Sequence, residues 1–474
     1  MILYRKLIRP LFFGSLLVLL LQGQLLAQAG EGYGVTVSFE NFPAHYQDKQ
    51  IFLWRHMGSM LKRIDSTLVE NNTAILTQAK TPGLYKVGFY PTIAQPVMLG
   101  VERDVEITAT YRHRRSSFDM EVHSRDQQAY QKFEELKENY QAEFQAIMKT
   151  YQNQVTQLDA AGQRALLERT YDSSDSLALV FNQQLDQLAE TYPETYTAKY
   201  YTEMSRPVLA PDSLEGDAIK LHRKARFWKY IDFSDPNFLY NDFFYLKVYQ
   251  YVNEFSGRTQ SGFIEAVDTL MTRAEVNQEM YDFMANYLME VFNARGPDGV
   301  LVALDERYMA RVQDTAKITR QVLNRLHALD AGNPAPEIAL PDSTGQKIAL
   351  HDVMGERATL IYVWSSTCHH CREATPRVVK ILKPYIDQGL SVYAVSLDKN
   401  KAPWVSSANE FQMHDWVNVS DLKQWQSEIV TIYGIRRTPY LVLIDADGNL
   451  VEKDIPVDRI AYVMAEYFAQ NDSQ

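Results

Sequence analysis

The chain has 474 residues, of which 46% are hydrophobic and 23% charged, and its formal net charge at pH 7 is −11. This length predicts about three domains, and the ordinary composition excludes collagen-like, low-complexity and wholly disordered proteins. The basic residues do not form a long stripe and no apolar run after residue 30 reaches ~18 residues, so nucleic-acid-binding proteins and multi-pass membrane proteins are excluded.

Residues 1–29 have the layout of a secretory signal peptide. Arg5, Lys6 and Arg9 precede the apolar run Leu11–Leu21, and residues 27–29 (Ala-Gln-Ala) form a small-residue cleavage site. Because the apolar run is shorter than the roughly 20 residues that span a bilayer, we expect a cleaved signal rather than an uncleaved anchor. The mature chain is therefore expected in the periplasm or cell envelope, where disulfide chemistry can proceed.

Residues 30–115 are predicted to form a small β-sandwich-like domain. Short segments with alternating apolar and polar residues are separated by turn residues. The expected strands are Gly34–Phe39, Gln50–Trp54, Ala74–Thr77, Tyr85–Tyr90, Pro96–Val101 and Val105–Thr110. This part of the sequence contains no catalytic triad, metal-ligand cluster or glycine-rich phosphate loop.

Residues 116–330 are predicted to be all-α, because apolar residues recur at spacings of three and four and prolines interrupt the pattern. The expected helices are Arg125–Asn153, Ala160–Thr170, Asp175–Thr191, Thr195–Glu203, Asp217–Tyr230, Asp242–Phe255, Phe263–Arg273, Asn277–Asn293 and Val300–Leu329. The many aromatic residues of this region are interpreted as core, and a ligand groove is the alternative interpretation. A homodimer formed through these helices is a further hypothesis.

The segment Gly332–Pro336 is rich in residues that break secondary structure and is predicted to be a linker to an α/β domain, residues 333–474. In this domain the apolar strands Ala358–Trp364 and Leu390–Leu397 flank the helix Cys371–Asp387, which predicts a βαβ unit. The other expected elements are a strand Lys347–Leu350, helices Trp404–Met413 and Leu422–Ile432, a hairpin of Tyr440–Ile444 and Leu450–Ile455, and a closing helix Asp458–Ala469.

The two cysteines of the chain, Cys368 and Cys371, lie at the junction between a buried strand and a helix. In the first turn of a helix the dipole and the free backbone N–H groups stabilise a thiolate. We therefore expect Cys368 to attack as a thiolate and Cys371, one turn later and more buried, to resolve the mixed disulfide. His369 and His370 lie between them and are expected to lower the pKa of the Cys368 thiol further.

Thr438 and Pro439 directly precede the predicted buried strand that begins at Tyr440. A proline after a loop and before such a strand is a candidate for a cis peptide bond. With the backbone of Thr438 it would form an edge on which an extended substrate peptide pairs while Cys368 attacks.

These motifs resemble the thioredoxin-like fold, and most closely its secreted TlpA/ResA-like branch, which is related to the AhpC/TSA family. The resemblance covers residues 333–474 and rests on Asn333–Pro336, Asp342–Gly345, Val363-Trp364, Cys368–Cys371, Pro376, Thr438-Pro439 and Asp445–Gly448. It implies thiol-disulfide exchange with Cys368 and Cys371 as the redox pair and Pro439 as the substrate-facing proline. No cofactor and no metal are expected. More loosely, the upstream regions resemble those that precede such modules in Bacteroidetes envelope proteins.

The sequence departs from the family pattern at several positions near the cysteines. Tyr362 stands where thioredoxins carry a buried acid, Thr367 stands where many have tryptophan, and His-His replaces Gly-Pro or Glu-Pro. The resemblance implies the reduction of protein disulfides, with electrons from a membrane or thioredoxin-like donor. The two histidines favour the opposite direction, because a stabilised thiolate makes a dithiol pair more oxidising.

Three other functions are alternatives to disulfide exchange. A structural zinc site needs four ligands, and the sequence has no second Cys/His group to complete one. A peroxiredoxin-like peroxidase would carry a P-x-x-x-T-x-x-C pattern, which Thr359 and Ile361 do not fit. In the third hypothesis, residues 30–330 are a binding or dimerisation module and the thioredoxin-like domain is its accessory.

Overall fold

The computed structural model describes residues 32–47, 49–112, 117–211 and 213–471. The predicted signal peptide, residues 1–29, lies outside the described residues. Among the helices that are described, none is long and apolar enough to cross a membrane. The chain divides into two compact units, with Tyr287 the last residue of the first and Leu288 the first residue of the second.

The first unit begins with eight strands in two four-stranded sheets. One sheet has the order β4-β1-β7-β8 and contains β1 (Tyr33–Glu40), β4 (Thr73–Ala79), β7 (Asp104–Arg112) and β8 (Ser117–His123). The other has the order β3-β2-β5-β6 and contains β2 (Gln50–Met57), β3 (Met60–Leu68), β5 (Gly83–Gly88) and β6 (Gln95–Leu99). Alternate residues of both sheets share one apolar core, which includes Val35, Ile51, Val87 and Val105. The sequence-based prediction of an N-terminal β domain is confirmed.

Two strands of these sheets, β3 and β8, are not predicted from the sequence. β3 is an edge strand with no fully buried residue, and it carries Lys62, Arg63 and Asp65, so it lacks the alternation that marks a half-buried strand. β8 pairs with β7 in an antiparallel hairpin. The sheet therefore continues to His123, whereas the sequence placed the end of the β region at residue 115.

Nine α-helices follow the sheets in the described part of the chain. They are α1 (Arg125–Val155), α2 (Ala160–Thr191), α3 (Thr202–Ser205), α4 (Asp217–Arg226), α5 (Phe244–Phe255), α6 (Gln260–Ala274), α7 (Gln278–Arg295), α8 (Asp298–Tyr308) and α9 (Lys317–Ala328). Where two helices were expected between residues 160 and 191, α2 is continuous. The hydroxyls of Ser173 and Ser174 donate to carbonyls one turn earlier, so these two polar side chains are accommodated inside the helix. The single helix expected over 300–329 is instead divided into α8 and α9, since Val312 is extended.

The second unit contains a five-stranded sheet with the order β13-β12-β11-β14-β15. Its strands are β11 (Ala358–Trp364), β12 (Leu390–Ser396), β13 (Val417–Val419), β14 (Tyr440–Asp445) and β15 (Leu450–Lys453), preceded by the hairpin of β9 (Ala339–Pro341) and β10 (Lys347–Ala349). Its helices after the hairpin are α10 (His369–Ile386), α11 (Lys401–Glu410), α12 (Glu428–Ile432) and α13 (Ile460–Asn471). β11 is parallel to β12 and antiparallel to β14, which confirms the predicted βαβ unit followed by a hairpin and a helix.

The central strand β11 is buried over its whole length, as its continuous apolar sequence predicts. Leu360, Tyr362 and Trp364 pack on the side of the sheet that also buries Cys371. Ile361 and Val363 pack into the core on the opposite side. This two-sided burial fixes the carboxyl end of β11, from which the chain passes into the first turn of α10.

The boundary between the two compact units lies inside α7, upstream of the segment Gly332–Pro336 that the sequence predicts to be a linker. The end of α7 and all of α8 and α9 thus belong to the second unit. Leu329, directly after α9, is part of an apolar core of the sheet. Arg325 of α9 donates a hydrogen bond to Asn293 of α7 at 2.8 Å. The predicted linker role of Gly332–Pro336 stays a prediction.

Arg436, in the loop before β14, bonds to the end of α7 and the start of α8. Its guanidinium donates to the backbone oxygen of Phe292 at 2.6 Å and forms an ion pair with Asp298. The Arg436 side chain is only 22% exposed, so the ion pair is partly buried. The loop that leads to Thr438 is thereby held against the end of α7 and the start of α8.

We expect Arg436→Met to lower the free energy of unfolding of the second unit by about 2 kcal/mol, because a carbonyl and a carboxylate lose a charged donor. Hydrogen exchange of the β11 and β14 amides in the full chain would measure this loss. Arg437→Met is the matched control, because Arg437 pairs with Asp454 but is 65% exposed and should cost less than about 1 kcal/mol. Equal losses in the two variants would contradict the anchoring role of Arg436.

A candidate active site at Cys368 and Cys371

Cys368 is the N-cap residue of α10, at the end of the short loop that follows β11. Its backbone is extended, with φ −77° and ψ 116°, and its sulfur accepts a hydrogen bond from the backbone N–H of Cys371 at 3.3 Å. Its own backbone N–H donates to the carbonyl of Ser365 at 3.2 Å. The sulfur therefore lies where the free N–H groups and the dipole of the helix stabilise a negative charge.

The segment before β14 meets Cys368 from the other side. The Cys368 thiol donates to the backbone oxygen of Thr438 at 3.5 Å, across a separation of 70 residues. The peptide bond between Thr438 and Pro439 is cis, as predicted from the sequence. The structure thus brings together the two motifs on which the sequence-based hypothesis depends.

The pKa of the Cys368 thiol is lowered by its surroundings. Burial by itself would raise this pKa. The opposing effects are hydrogen bonds with the Cys371 thiol, with the side chain of Thr438 and with the backbone N–H groups of Cys371 and His370, and together they outweigh burial. Because Cys368 is also partly exposed, its thiolate is accessible for attack on a substrate.

The pKa of the Cys371 thiol, in contrast, is raised. Its side chain is fully buried, and burial together with the adjacent Cys368 sulfur raises its pKa to about 12. At neutral pH it is therefore a neutral thiol that donates to, and stabilises, the Cys368 thiolate. Two cysteines one helical turn apart thus have opposite properties, set by exposure and hydrogen bonding.

Tyr362 lies beneath Cys371, where thioredoxins carry a buried acid. Its hydroxyl is 2.8 Å from that of Thr375, which in turn donates to the carbonyl of Cys371 at 2.7 Å. Burial raises the pKa of Tyr362 well above its ordinary value, so the phenol stays neutral. This position supplies a hydrogen bond to Thr375 in the second turn of α10 but no carboxylate to deprotonate Cys371.

Both histidines of the motif point to solvent. The side chain of His369 is 80% exposed and its Nε2 lies 3.3 Å from Oε1 of Glu373, one turn further along α10. His370 is also exposed, and its contribution to the Cys368 thiolate comes through its backbone N–H. A tuning role for the two imidazoles stays a prediction. Within the described ranges, no group of three or more His, Cys, Asp or Glu side chains is arranged to hold a metal ion.

Asp398 is a residue of this site that the sequence analysis missed. It is buried two residues after the end of β12 and accepts hydrogen bonds from the backbone N–H and hydroxyl of Ser366, at 3.0 and 2.6 Å. The hydroxyls of Ser365 and Ser396 donate to it at 3.2 and 2.6 Å. The carboxylate thus fixes the loop that leads into Cys368.

A signal for Asp398 was present in the sequence. Asp398 follows the predicted buried strand Leu390–Leu397. Ser365 and Ser366 follow the neighbouring predicted strand, Ala358–Trp364. Because the carboxyl ends of parallel strands meet at one edge of a sheet, these polar residues were bound to be close.

We expect Asp398→Ala to raise the pKa of the Cys368 thiol, because the loop that aligns the sulfur with the helix N–H groups loses its acceptor. Alkylation of the reduced chain by iodoacetamide, followed against pH, would show the midpoint moving up and the rate at pH 7 falling about five-fold. Cys371 should stay unmodified throughout.

The control for this experiment is Asp415→Ala, which removes an exposed carboxylate from the same unit and should leave the profile unchanged. An unchanged profile in Asp398→Ala would show that the loop is aligned without Asp398.

Comparison with known proteins agrees with this geometry. The AhpC/TSA family model matches residues 331–453. The thiol-disulfide oxidoreductase ResA of Bacillus thuringiensis is 26% identical over 127 residues, which are 27% of this chain and 70% of that protein. The thiol-disulfide oxidoreductase YkuV of Bacillus subtilis is 38% identical over 68 residues, 13% of this chain and 45% of that protein.

Among solved structures, the thioredoxin domain of a thiol-disulfide oxidoreductase from Bacteroides vulgatus is 27% identical. It covers 29% of this chain and 98% of that chain, with a TM-score of 0.27. A thioredoxin-like protein from Bacteroides caccae is 17% identical and covers 54% of this chain and 97% of that one, with a TM-score of 0.35. The family match, the ResA relatives and the strand order together identify the C-terminal part of this chain as a thioredoxin-like module of the TlpA/ResA-like kind.

Proposed function

We propose that this chain is an exported thiol-disulfide oxidoreductase that reduces disulfides in other proteins. The observation that carries the proposal is the asymmetry of the two sulfurs. Cys368 is accessible and its pKa is lowered, whereas Cys371 is buried and its pKa is raised to about 12. One nucleophile and one protected resolving thiol are what a two-step disulfide exchange requires.

In the first step the Cys368 thiolate attacks one sulfur of the substrate disulfide. A bond forms between the two sulfurs, the substrate S–S bond breaks, and the released substrate thiolate takes a proton from water. In the second step the Cys371 sulfur attacks the Cys368 sulfur, the bond between Cys368 and the substrate breaks, and the Cys371 proton passes to the departing substrate sulfur, which leaves as a thiol. The substrate gains two electrons and the Cys368–Cys371 pair becomes a disulfide, so a dithiol donor must reduce the pair before the next cycle.

Thr438 and Pro439 are proposed to position the substrate. The Thr438 carbonyl lies 3.5 Å from the Cys368 sulfur, so an extended peptide that pairs with this backbone would bring its disulfide to the nucleophile. The donor that reduces the pair is proposed to be a membrane protein or another thioredoxin-like protein.

The exposed positions of His369 and His370 weaken the argument that these residues make the pair oxidising. An imidazolium in water interacts only weakly with a neighbouring thiolate, because solvent screens its charge. His369 is in addition paired with Glu373, which offsets its charge when it is protonated. The oxidising influence that the His-His sequence suggests is therefore small, although the two side chains are still proposed to favour the thiolate.

Export of the chain is proposed from the layout of residues 1–29, with the periplasm or cell envelope as the place of action. In such a compartment disulfides form in other proteins and persist, so a reductant has substrates there.

We expect Cys371→Ser to accumulate a mixed disulfide between Cys368 and a protein disulfide such as that of insulin, because the resolving thiol is missing. Non-reducing electrophoresis would show the adduct, and dithiothreitol would remove it. Cys368→Ser is the matched control and should form none, since a thiol with a pKa of about 12 is ionised in roughly one molecule in 10⁵ at pH 7.

An adduct in Cys368→Ser, or its absence in Cys371→Ser, would contradict the assigned roles. If the chain consumed hydrogen peroxide faster than it reduced insulin, the peroxidase hypothesis would replace reduction of protein disulfides.

A further inference from the structure

The helical part of the first unit contains a cavity of about 350 Å³. Residues of α1, α2, α4 and α5 line it. This volume is at the lower end of the range of small-molecule sites, roughly 300–1,000 Å³. Aromatic side chains form much of its wall, namely Tyr140, Phe144, Phe181, Phe227, Phe243 and Phe255. The aromatic residues interpreted as core from the sequence therefore also enclose an open space.

Lys247 of α5 is the polar group that distinguishes this cavity. Its side chain lines the cavity although the residue is only 8% exposed. Its ammonium lies 4.4 Å from the centroid of the Phe227 ring. In the described part of the chain no carboxylate or carbonyl forms a hydrogen bond or ion pair with it. Burial lowers the pKa of Lys247 to about 8, against the opposing effect of Glu254.

The other cations of the wall are compensated. Each is paired with a carboxylate: Arg223 with Asp175 at 2.5 Å, Arg206 with Asp186 at 2.6 Å, and Lys137 with Glu134 at 2.5 Å. The Glu254 carboxylate on the wall is hydrogen-bonded by Gln250 at 2.9 Å. Lys247 is thus a buried ammonium with an aromatic ring beside it and an open space in front of it.

Burying an ammonium that no anion contacts costs free energy. An apolar side chain of the same length would avoid that cost. An anion inside the cavity would offset it, since the attraction between opposite charges is strong where water is excluded. The aromatic wall would at the same time bury an apolar body of the same ligand.

We propose that this cavity binds a small organic anion, with its carboxylate or sulfonate on the Lys247 ammonium and its aromatic or alkyl body against the aromatic wall. This site lies in the first unit and is independent of the chemistry of the two cysteines.

Two fluorescent probes that differ by one sulfonate test the proposal directly. 8-Anilinonaphthalene-1-sulfonate carries the anion, and N-phenyl-1-naphthylamine has the same rings without it. Titrated into the folded full chain, the anionic probe is expected to bind at one site at least ten-fold more tightly than the neutral probe. Equal affinities in the unmodified chain would overturn the proposal without any variant.

Three variants then locate the site. Lys247→Met should reduce the affinity for the anionic probe to that for the neutral one, and should leave the neutral probe unaffected. Lys149→Met removes the same charge from an exposed position on α1 away from the cavity and should change neither affinity. Glu254→Gln removes a repelling carboxylate from the wall and should strengthen binding of the anionic probe about two-fold or more.

Circular dichroism and the affinity for the neutral probe show whether each variant is folded. Tight binding of the anionic probe to a folded Lys247→Met chain would overturn the proposal. If Lys247→Met did not fold, Glu254→Gln would decide, because unchanged affinity for the anionic probe in that variant would contradict an anion held beside Lys247.

Discussion

The hydrogen bond from the backbone N–H of Cys371 to the sulfur of Cys368 is the interaction on which the proposed chemistry depends. It exists because Cys368 caps a helix, so its sulfur takes the place of a capping oxygen at a free N–H group. The same turn of helix carries Cys371 into the core, where its thiol stays protonated. One local geometry therefore makes one sulfur a nucleophile and protects the other.

The rest of the second unit holds this geometry in place from two directions. On the side of β11, the buried carboxylate of Asp398 fixes the loop into Cys368 through hydrogen bonds from Ser365, Ser366 and Ser396. On the side of β14, Arg436 fixes the loop into Thr438. Asp398 is buried and Arg436 largely so, and each satisfies several partners, so each is expected to limit the motion of its loop.

The sequence predicted the features that follow from local patterns. The bounds of Ala358–Trp364 were correct because a strand buried on both faces is a continuous apolar run, and Pro439 was recognisable as a cis candidate from its place before a buried strand. Asp398 and Lys247 could not be assigned from local patterns, because their roles depend on neighbours distant in sequence. That α8 and α9 belong to the second unit cannot be predicted from local patterns either, because it rests on hydrogen bonds between segments distant in sequence.

The central claim is that Cys368 and Cys371 form a redox pair that reduces protein disulfides. The most direct test is the equilibrium reduction potential of the pair in glutathione or dithiothreitol buffers, with Cys368→Ala as the blank. We expect the disulfide to form and its potential to lie near that of thioredoxin, about −270 mV. A potential near that of DsbA, about −120 mV, would contradict the direction of the reaction, and failure to form the disulfide would contradict the redox function itself.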